Sequence, residues 1–446
     1  MLVETSGFAL LADPGGEGTL RSGGMIAHGP AWNTAPQIDS GADNPAVGDQ
    51  AVPAGHYRSR QPERGSTLGR GGINMLRLQA PLPDRYTRAS ADELDGWIAA
   101  AKSQLGSRLL VLGHHYQRPE VIRWADERGD SFKLAQFAAA NEQATDIVFC
   151  GVHFMAESAD ILTGDHQRVI LPDLNAGCSM ADMADIDQVL EAWDEIAAVT
   201  DIERIMPITY MNSSADLKAF VGEHGGAVCT SSNARIILEW AFQQADKVLF
   251  FPDQHLGRNT GYEMGYDNSH MRVWDPRRDL GGLDEPDVKE ATFLLWKGHC
   301  TVHQRFQPTH VDAFRAEHPA GEVIVHPECC HEVVAMADRV GSTERILEWV
   351  AAAPSGATIG VGTEIHMIQR LAADHPDKTV VSLDPLVCPC STMFRIDGPH
   401  LAWCLETLAA GEIVNQIVVD DRTAELARLA LQRMLDLPGI PTDTVD

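Results

Sequence analysis

Three cysteines are the residues of this sequence whose type and spacing best suit chemistry. Cys178 lies in "NAGCSMAD", Cys300 in "WKGHCTVH" and Cys390 in "CPCSTM", separated by about 120 and 90 residues. Three thiolates suit an iron–sulfur cluster, because soft sulfur ligands select iron–sulfur clusters, zinc or Cu(I). Three protein ligands would leave a fourth metal position open, as catalytic metal sites do. Spacing alone does not decide, because nine cysteines offer many triplets, and some could be buried thiols that act as small hydrophobic groups.

One of the remaining cysteines, Cys388, lies unusually close to Cys390 in the sequence. Cys388 is separated from Cys390 by a single proline, which is tighter than the usual C-x₂₋₄-C zinc pair. Either one of these two thiols works with distant partners, or both are inert. Buried, inert thiols are the better interpretation for Cys150 in "DIVFC", Cys404 in "HLAWCLETL" and Cys229 in "AVCTSS".

Polar and reactive residues follow the ends of many short apolar runs. They are His114, His115, Tyr116, Asp130, Ser131, Tyr210, Asn212, Ser213, Thr230, Ser231, Asn233, His326 and Glu328. In parallel α/β sheets, ligands bind outside the carboxyl ends of the strands, so these side chains predict one shared site. The Ser, Asp and Asn residues that begin the following helices favour anionic ligands there. The sequence contains no G-x-S-x-G, P-loop, H-E-x-x-H or G-x-G-x-x-G motif, which argues against the enzyme classes those motifs mark.

The elements that position these residues alternate between strand and helix patterns from Asp92 onward. Short apolar runs such as "RLLVLGHHY", "DIVFCGVHF" and "KVLFFPD" are separated by amphipathic stretches such as "STERILEWVAAA". This alternation predicts βαβ units and parallel sheets, hence an α/β fold.

The pattern recurs in three blocks, each containing one of the three cysteines. We predict a first α/β repeat at 85–190, a second at 191–300 with an inserted loop at 253–290, and a third at 301–446 that ends in a C-terminal helix. Residues 1–84 are rich in Gly, Pro, Ser and charge without an apolar period, and we predict a disordered, low-complexity extension.

Composition excludes several classes of protein. The chain has 446 residues and a net charge of −28, which argues against binding to nucleic acid. No apolar run is long enough for a membrane span, and no signal peptide is recognisable at the start. An odd number of cysteines without a secretion signal does not indicate a disulfide framework, so we expect a cytoplasmic protein with reduced thiols.

A series of motifs resembles those of the quinolinate synthase family. They are "HHYQRPEV", "GDSFKLAQ", "CGVHFMAESADIL", "LPDLNAGCSMAD", "TYMNSSADLKA", "CTSSNA", "FFPDQHLGRNT", "WKGHCTVH", "HPEC", "GVGTEI" and "CSTM", which lie in order between about residues 85 and 440. The resemblance implies three similar three-layer α/β/α domains with parallel sheets, arranged with pseudo-threefold symmetry around a central active site. It also implies a 4Fe–4S cluster held by Cys178, Cys300 and Cys390. Cys388 stays open as a substitute, because the proline here precedes Cys390 instead of following it.

The resemblance also implies the residues that contact substrate. The expected substrate-binding residues are His114, Ser131, Tyr210, Met211, Asn212, Ser231, His326, Pro327, Glu328 and Thr343, and the expected catalytic residues are Tyr116, Glu328 and His303. His115 stands where many relatives have Asn.

The implied reaction condenses iminoaspartate with dihydroxyacetone phosphate and releases quinolinate, phosphate and two waters in de novo NAD biosynthesis. The open iron of the cluster would act as a Lewis acid, and an aspartate oxidase or dehydrogenase would supply iminoaspartate. Two alternatives stay open: a cluster-bearing hydro-lyase acting on another substrate, and a non-enzymatic redox or metal sensor. Of these, the sensor would not need the His, Tyr, Asn and Glu residues at the strand ends.

Overall fold

A computed structural model of the chain describes residues 79–386 and 389–437. All of them belong to one compact unit, Ile73–Asp446. Nearly all of the predicted extension, 1–78, and Cys388 lie outside the described residues. None of the described helices combines the length and the apolar character that crossing a bilayer requires.

The described residues form strands and helices in regular alternation. The strands are β1 (Leu109–His114), β2 (Glu127–Gly129), β3 (Asp146–Cys150), β4 (Arg168–Ile170), β5 (Ile205–Tyr210), β6 (Ala227–Cys229), β7 (Lys247–Phe251), β8 (Met271–Trp274), β9 (Phe293–Trp296), β10 (Glu322–Val325), β11 (Arg339–Val340), β12 (Thr358–Gly362), β13 (Thr379–Ser382) and β14 (Gln416–Ile417). The helices are α1 (Asp84–Thr87), α2 (Ala91–Leu105), α3 (Pro119–Ile122), α4 (Ser131–Ala140), α5 (His153–Leu162), α6 (Ile186–Val199), α7 (Ala215–Glu223), α8 (Ala234–Gln244), α9 (Gln254–Glu263), α10 (Glu285–Glu290), α11 (Pro308–Glu317), α12 (His331–Val334), α13 (Thr343–Ala352), α14 (Ile365–Asp374), α15 (Gly398–Ala409) and α16 (Asp421–Asp436).

These strands make three sheets, each flanked by helices. The first sheet has the order β14-β4-β3-β1-β2, the second β6-β5-β7-β9-β8 and the third β11-β10-β12-β13. Every pairing is parallel except that of β14 with β4. The predicted α/β class with parallel sheets is therefore confirmed.

The strands are continuous apolar runs because helices cover both faces of each sheet. Every residue of β1, β3 and β9 is buried, including Asp146 at the start of β3. Asp146 forms ion pairs with Arg108 and Arg168, which stabilise its carboxylate at that buried position.

The segment 253–290, where the sequence predicts an inserted loop, contains α9, β8 and α10. Asp253 caps α9, because its Oδ1 accepts the N–H groups of His255 at 2.6 Å and Leu256 at 2.9 Å. The two glycines inside α9, Gly257 and Gly261, are packing residues: a Cβ on Gly257 would lie 2.7 Å from Leu295 and 2.8 Å from Phe250. Glycine lets this helix approach the second sheet closely. Gly265, by contrast, has φ +90° and lies in a turn after the helix.

The C-terminal segment, which the sequence assigns to the third repeat, packs elsewhere. Strand β14 pairs with β4 of the first sheet, with Ile417 opposite Val169. Helix α16 packs on α7 beside the second sheet, where Gly222 gives the two backbones room. The boundaries at 190 and 300 remain a prediction.

Candidate active site

Strands from all three sheets end around one cavity. The residues that line it include His114, Tyr116, Ser131, Cys178, Tyr210, Met211, Asn212, Ser231, Cys300, His326, Glu328, Thr343 and Cys390. Of the residues that the family resemblance assigns to the cluster, to substrate binding or to catalysis, only His303 and Pro327 are not part of its lining. His303 lies directly behind it, in contact with Glu328, and the carbonyl of Pro327 accepts a hydrogen bond from Asn259 at 2.8 Å. Of the other polar residues predicted at the strand ends, Asp130 and Thr230 line the cavity, whereas His115, Ser213 and Asn233 do not.

The three cysteines share one local backbone turn. In each case the cysteine carbonyl accepts the N–H group of the residue four positions later, and a 3₁₀-helix begins three positions after the cysteine. The hydrogen bonds are Asp182 to Cys178 at 3.0 Å, Gln304 to Cys300 at 2.9 Å and Phe394 to Cys390 at 2.9 Å. The 3₁₀-helices are Ala181–Met183, His303–Arg305 and Met393–Arg395.

A backbone N–H group in each turn lowers the pKa of the cysteine thiol, against the effect of burial. These groups belong to Ala181 for Cys178, His303 for Cys300 and Met393 for Cys390, each the first residue of its 3₁₀-helix. Such hydrogen bonds stabilise a thiolate and tune iron–sulfur clusters. The same turn at three distant positions indicates that the three sulfurs act as one set.

Burial raises the pKa of all three thiols, that of Cys178 to about 12. Their sulfurs therefore need a cationic group to hold them as thiolates. The loops of Cys178 and Cys300 are in contact, because Oγ of Ser179 lies 3.4 Å from Oγ1 of Thr301.

The spacing of the possible ligand atoms distinguishes a cluster from a single ion. In the described part of the chain, only Cys300, His303 and Glu328 bring three such atoms within 4.8 Å of one another. Two thiolates on one tetrahedral ion would lie about 3.8 Å apart, and the three cysteines do not form so tight a group. Three sulfurs that line one cavity without forming so tight a group fit a polynuclear iron–sulfur cluster.

Other cysteines are inert by position. Cys150, Cys229 and Cys404 are at most 1% exposed and belong to the hydrophobic core, as the sequence predicts.

Glu328 lies at the centre of a buried polar group. Its Oε2 is 2.6 Å from Nδ1 of His303 and 3.8 Å from Nδ1 of His326, and Tyr210 donates a hydrogen bond to the same carboxylate. Burial alone would raise the pKa of Glu328, but the two imidazoles and these hydrogen bonds together lower it. Glu328 is therefore a carboxylate, a group that accepts protons.

The rings around Glu328 are held in fixed orientations. His303 and His326 are stacked, with centroids 4.4 Å apart, and burial together with His303 lowers the pKa of His326 to about 3. His326 is thus neutral, and its Nδ1 accepts the backbone N–H of Glu328 at 3.3 Å. His114 repeats this turn, because its Nδ1 accepts the N–H of Tyr116 at 3.1 Å. The proton of each neutral ring therefore resides on Nε2.

Tyr116 is joined to this group through a threonine that the sequence analysis did not single out. Oγ1 of Thr363 lies 2.8 Å from the Tyr116 hydroxyl and 3.2 Å from Nε2 of His303. Burial and the carboxylate of Glu328 raise the pKa of Tyr116 well above its ordinary value, so its hydroxyl stays protonated.

Glu364, the next residue, was also missed. It is fully buried, its Oε2 caps α14 through the N–H of His366 at 2.7 Å, and its Oε1 accepts the N–H of Cys390 at 3.2 Å. Both residues follow β12 in the "GVGTEI" motif, so a polar pair directly after an apolar strand was the available signal.

His115 points away from the cavity and connects the first sheet to the third. Its Nε2 is 2.7 Å from Oε1 of Glu344, and Arg370 donates to its carbonyl at 2.9 Å and contacts its Nδ1 at 3.2 Å. Since an arginine only donates, Nδ1 of His115 accepts and Nε2–H donates to Glu344. This contact fixes the strand end that carries His114.

Helix N-termini surround the cavity. Ser131 and Thr343 are the first residues of α4 and α13, and Ser231 precedes α8 by three positions. Free N–H groups and the helix dipole favour carboxylates and phosphates at such positions.

Comparison with known proteins agrees with this geometry. A family described as "Quinolinate synthetase A protein" has a model that matches residues 97–436. A quinolinate synthase from Nocardioides sp. is 56% identical over 379 residues, which is 83% of this chain and 96% of that protein. Quinolinate synthases from Corynebacterium glutamicum and Geobacillus sp. are 54% and 53% identical over 81% and 82% of this chain, and over 92% and 99% of their own lengths. The chain belongs to the quinolinate synthetase A protein family.

Proposed function

We propose that this protein is a quinolinate synthase, a transferase of de novo NAD biosynthesis. It condenses iminoaspartate with dihydroxyacetone phosphate and releases quinolinate, phosphate and two waters. The observation that carries this proposal is the meeting of three equivalent cysteine turns with the buried Glu328 group at one cavity. The named relatives, whose sequences align over more than nine-tenths of their length, support it. An aspartate oxidase or dehydrogenase would supply iminoaspartate in the cytoplasm.

Cys178, Cys300 and Cys390 would hold a 4Fe–4S cluster. When bound, the cluster supplies a Lewis-acidic iron that polarises a substrate oxygen or nitrogen and eases loss of water. The backbone N–H groups that lower the pKa of the three thiols are the structural support for this assignment.

Substrate anions would bind on the opposite wall. Ser131, Ser231 and Thr343 stand at or near helix N-termini that favour two carboxylates and one phosphate. The Nε2–H groups of His114 and His326, in the lining, can donate to substrate oxygens.

Proton transfer would follow a chain of hydrogen bonds. Glu328 is a carboxylate, so Nδ1–H of His303 donates to it. Oγ1 of Thr363 joins Nε2 of His303 to the hydroxyl of Tyr116. The chain connects the cavity with Glu328 through Tyr116, as proton transfer during enolisation of the triose phosphate requires.

The proposal is tested with protein purified without oxygen. We expect iron and acid-labile sulfide in about equal amounts, and formation of quinolinate from iminoaspartate and dihydroxyacetone phosphate. Hydration or dehydration of a hydroxy acid without quinolinate would favour a hydro-lyase. Bound iron without any turnover would favour a sensor.

A further inference from the structure

A second concave surface lies outside the active site, between the β1–β2 connection and α14. The residues that line this groove include Gln117, Ile122, Arg123, Arg128, His366 and Arg370. Among the described residues that line it, none is an Asp or Glu. A groove with three arginines is unusual in a chain whose net charge is −28.

The arginines of the groove are not equally neutralised. Arg123 forms an ion pair with Asp95 outside the groove. Arg128 has no carboxylate within 4.0 Å in the part of the chain that the structure describes. Arg370 is held by His115 and likewise has no ion pair among these residues, although Asp374, Glu364 and Glu344 lie near enough to act on it.

The two unpaired arginines repel each other. Burial and then Arg128 lower the pKa of Arg370 from its ordinary value, which shows that the two positive charges are close. Two positive charges held close together in a groove favour the binding of an anion between them.

Gln117 provides an independent indication of a ligand. It lines the groove, is 0% exposed, and its Oε1 has no hydrogen-bond partner. Its amide nitrogen is occupied, because it donates to Sδ of Met393 at 3.3 Å. A buried acceptor without a donor is unfavourable, so a ligand with an O–H or N–H group would satisfy it.

We propose that this groove binds a small organic anion: a carboxylate or phosphate that also carries a hydroxyl or amino group. The anionic group lies between Arg128 and Arg370, and the donor reaches Oε1 of Gln117. Ile122 supplies an apolar wall for the carbon skeleton.

The groove is connected to the active site by Arg370. The same guanidinium donates to His115, the neighbour of the substrate-facing His114. An anion bound in the groove therefore competes with His115 for Arg370.

The test uses 3-hydroxybenzoate and inorganic phosphate as probes, titrated by calorimetry into the cluster-loaded, full-length protein. Two substitutions address the groove: Arg128→Gln removes the unpaired charge, and Ala373→Glu adds a carboxylate at an exposed position of the lining. Their matched controls are Arg422→Gln, an exposed arginine on α16, and Ala351→Glu, at the same penultimate helix position on α13. None of the four substituted residues lies in the lining of the central cavity, so a probe that binds in that cavity should bind equally to the wild type and to all four variants.

We expect 3-hydroxybenzoate to bind the wild type and both controls with similar affinity, and at least about tenfold more weakly to Arg128→Gln and Ala373→Glu. Weaker binding of phosphate in the same two variants would show that the charge pair alone suffices. Equal affinity for all five proteins overturns the proposal. Absence of binding to the wild type at about 10 mM of either probe also overturns it.

Discussion

Nδ1 of His303 lies 2.6 Å from Oε2 of Glu328, and both side chains are at most 3% exposed. Glu328 follows strand β10 of the third sheet, and His303 begins the 3₁₀-helix that follows Cys300. The pair therefore joins the turn at Cys300 to the residues proposed to transfer protons. Removal of one partner of such a buried pair strongly lowers the free energy of unfolding, because the other partner stays buried without compensation. The site is therefore rigid at the point where the proposed chemistry requires a fixed base.

Replacement of Thr363 tests the proton path. Thr363→Val keeps the shape of the side chain but removes the hydroxyl that joins Tyr116 to His303. We expect kcat to fall by about 10²-fold with unchanged iron content, because one proton-transfer group is disconnected. Thr363→Ser restores the hydroxyl and should recover most of the rate. Equal rates for the Val and Ser variants would contradict the path.

Removal of each cluster ligand should eliminate two properties together. We expect Cys178→Ala, Cys300→Ala and Cys390→Ala each to abolish the cluster's visible absorbance and the formation of quinolinate, because two sulfurs cannot hold the cluster. Cys229→Ala, in the core of the second sheet, is the control and should retain both. An active Cys390→Ala protein would transfer the third ligand to Cys388.

Gly222 tests the packing of α16 on α7. A Cβ at this position would lie 1.9 Å from the carbonyl oxygen of Leu426. We expect Gly222→Ala to destabilise the fold by about 3 kcal/mol, measured as a lower midpoint of thermal unfolding. Gly96→Ala, in the exposed face of α2 with nothing within 4 Å, should instead stabilise by about 0.5–1 kcal/mol. A harmless Gly222→Ala would mean that the two helices are not in contact.

Lys218 gives stability a defined dependence on pH. Burial lowers its pKa from 10.5 to about 8, while Glu157 acts in the opposite direction. Between about pH 8 and 10.5 the unfolded chain therefore holds a proton that the folded chain has released, and stability rises with pH across this window. The difference in unfolding free energy between wild type and Lys218→Met should grow in favour of wild type from pH 8 to 10.5. A difference independent of pH would contradict this assignment.

The sequence was sufficient for the fold class because the apolar runs are fully buried strands with parallel neighbours. It was also sufficient to bring the polar strand ends together, since parallel strands place their carboxyl ends at one edge. The roles of Thr363 and Glu364 were missed because they depend on hydrogen bonds to Tyr116, 247 residues away, and to Cys390, 26 residues away. Without these contacts the two residues look like ordinary polar positions. The helices and the strand within 253–290 were not predicted, because a glycine that packs closely, such as Gly257, has the same letter as one in a turn, such as Gly265. The two-residue strand β14 pairs with a distant partner, which no local pattern reveals.

The position of β14 has a consequence for biosynthesis. The first sheet receives its edge strand from Gln416–Ile417, so residues up to 417 must leave the ribosome before that sheet is complete. Cys390 also emerges late, long after its two counterparts. If the three cysteines hold the proposed cluster, iron and sulfide should be delivered only after residue 390 has been synthesised, and a nascent chain arrested before that residue should take up no cluster.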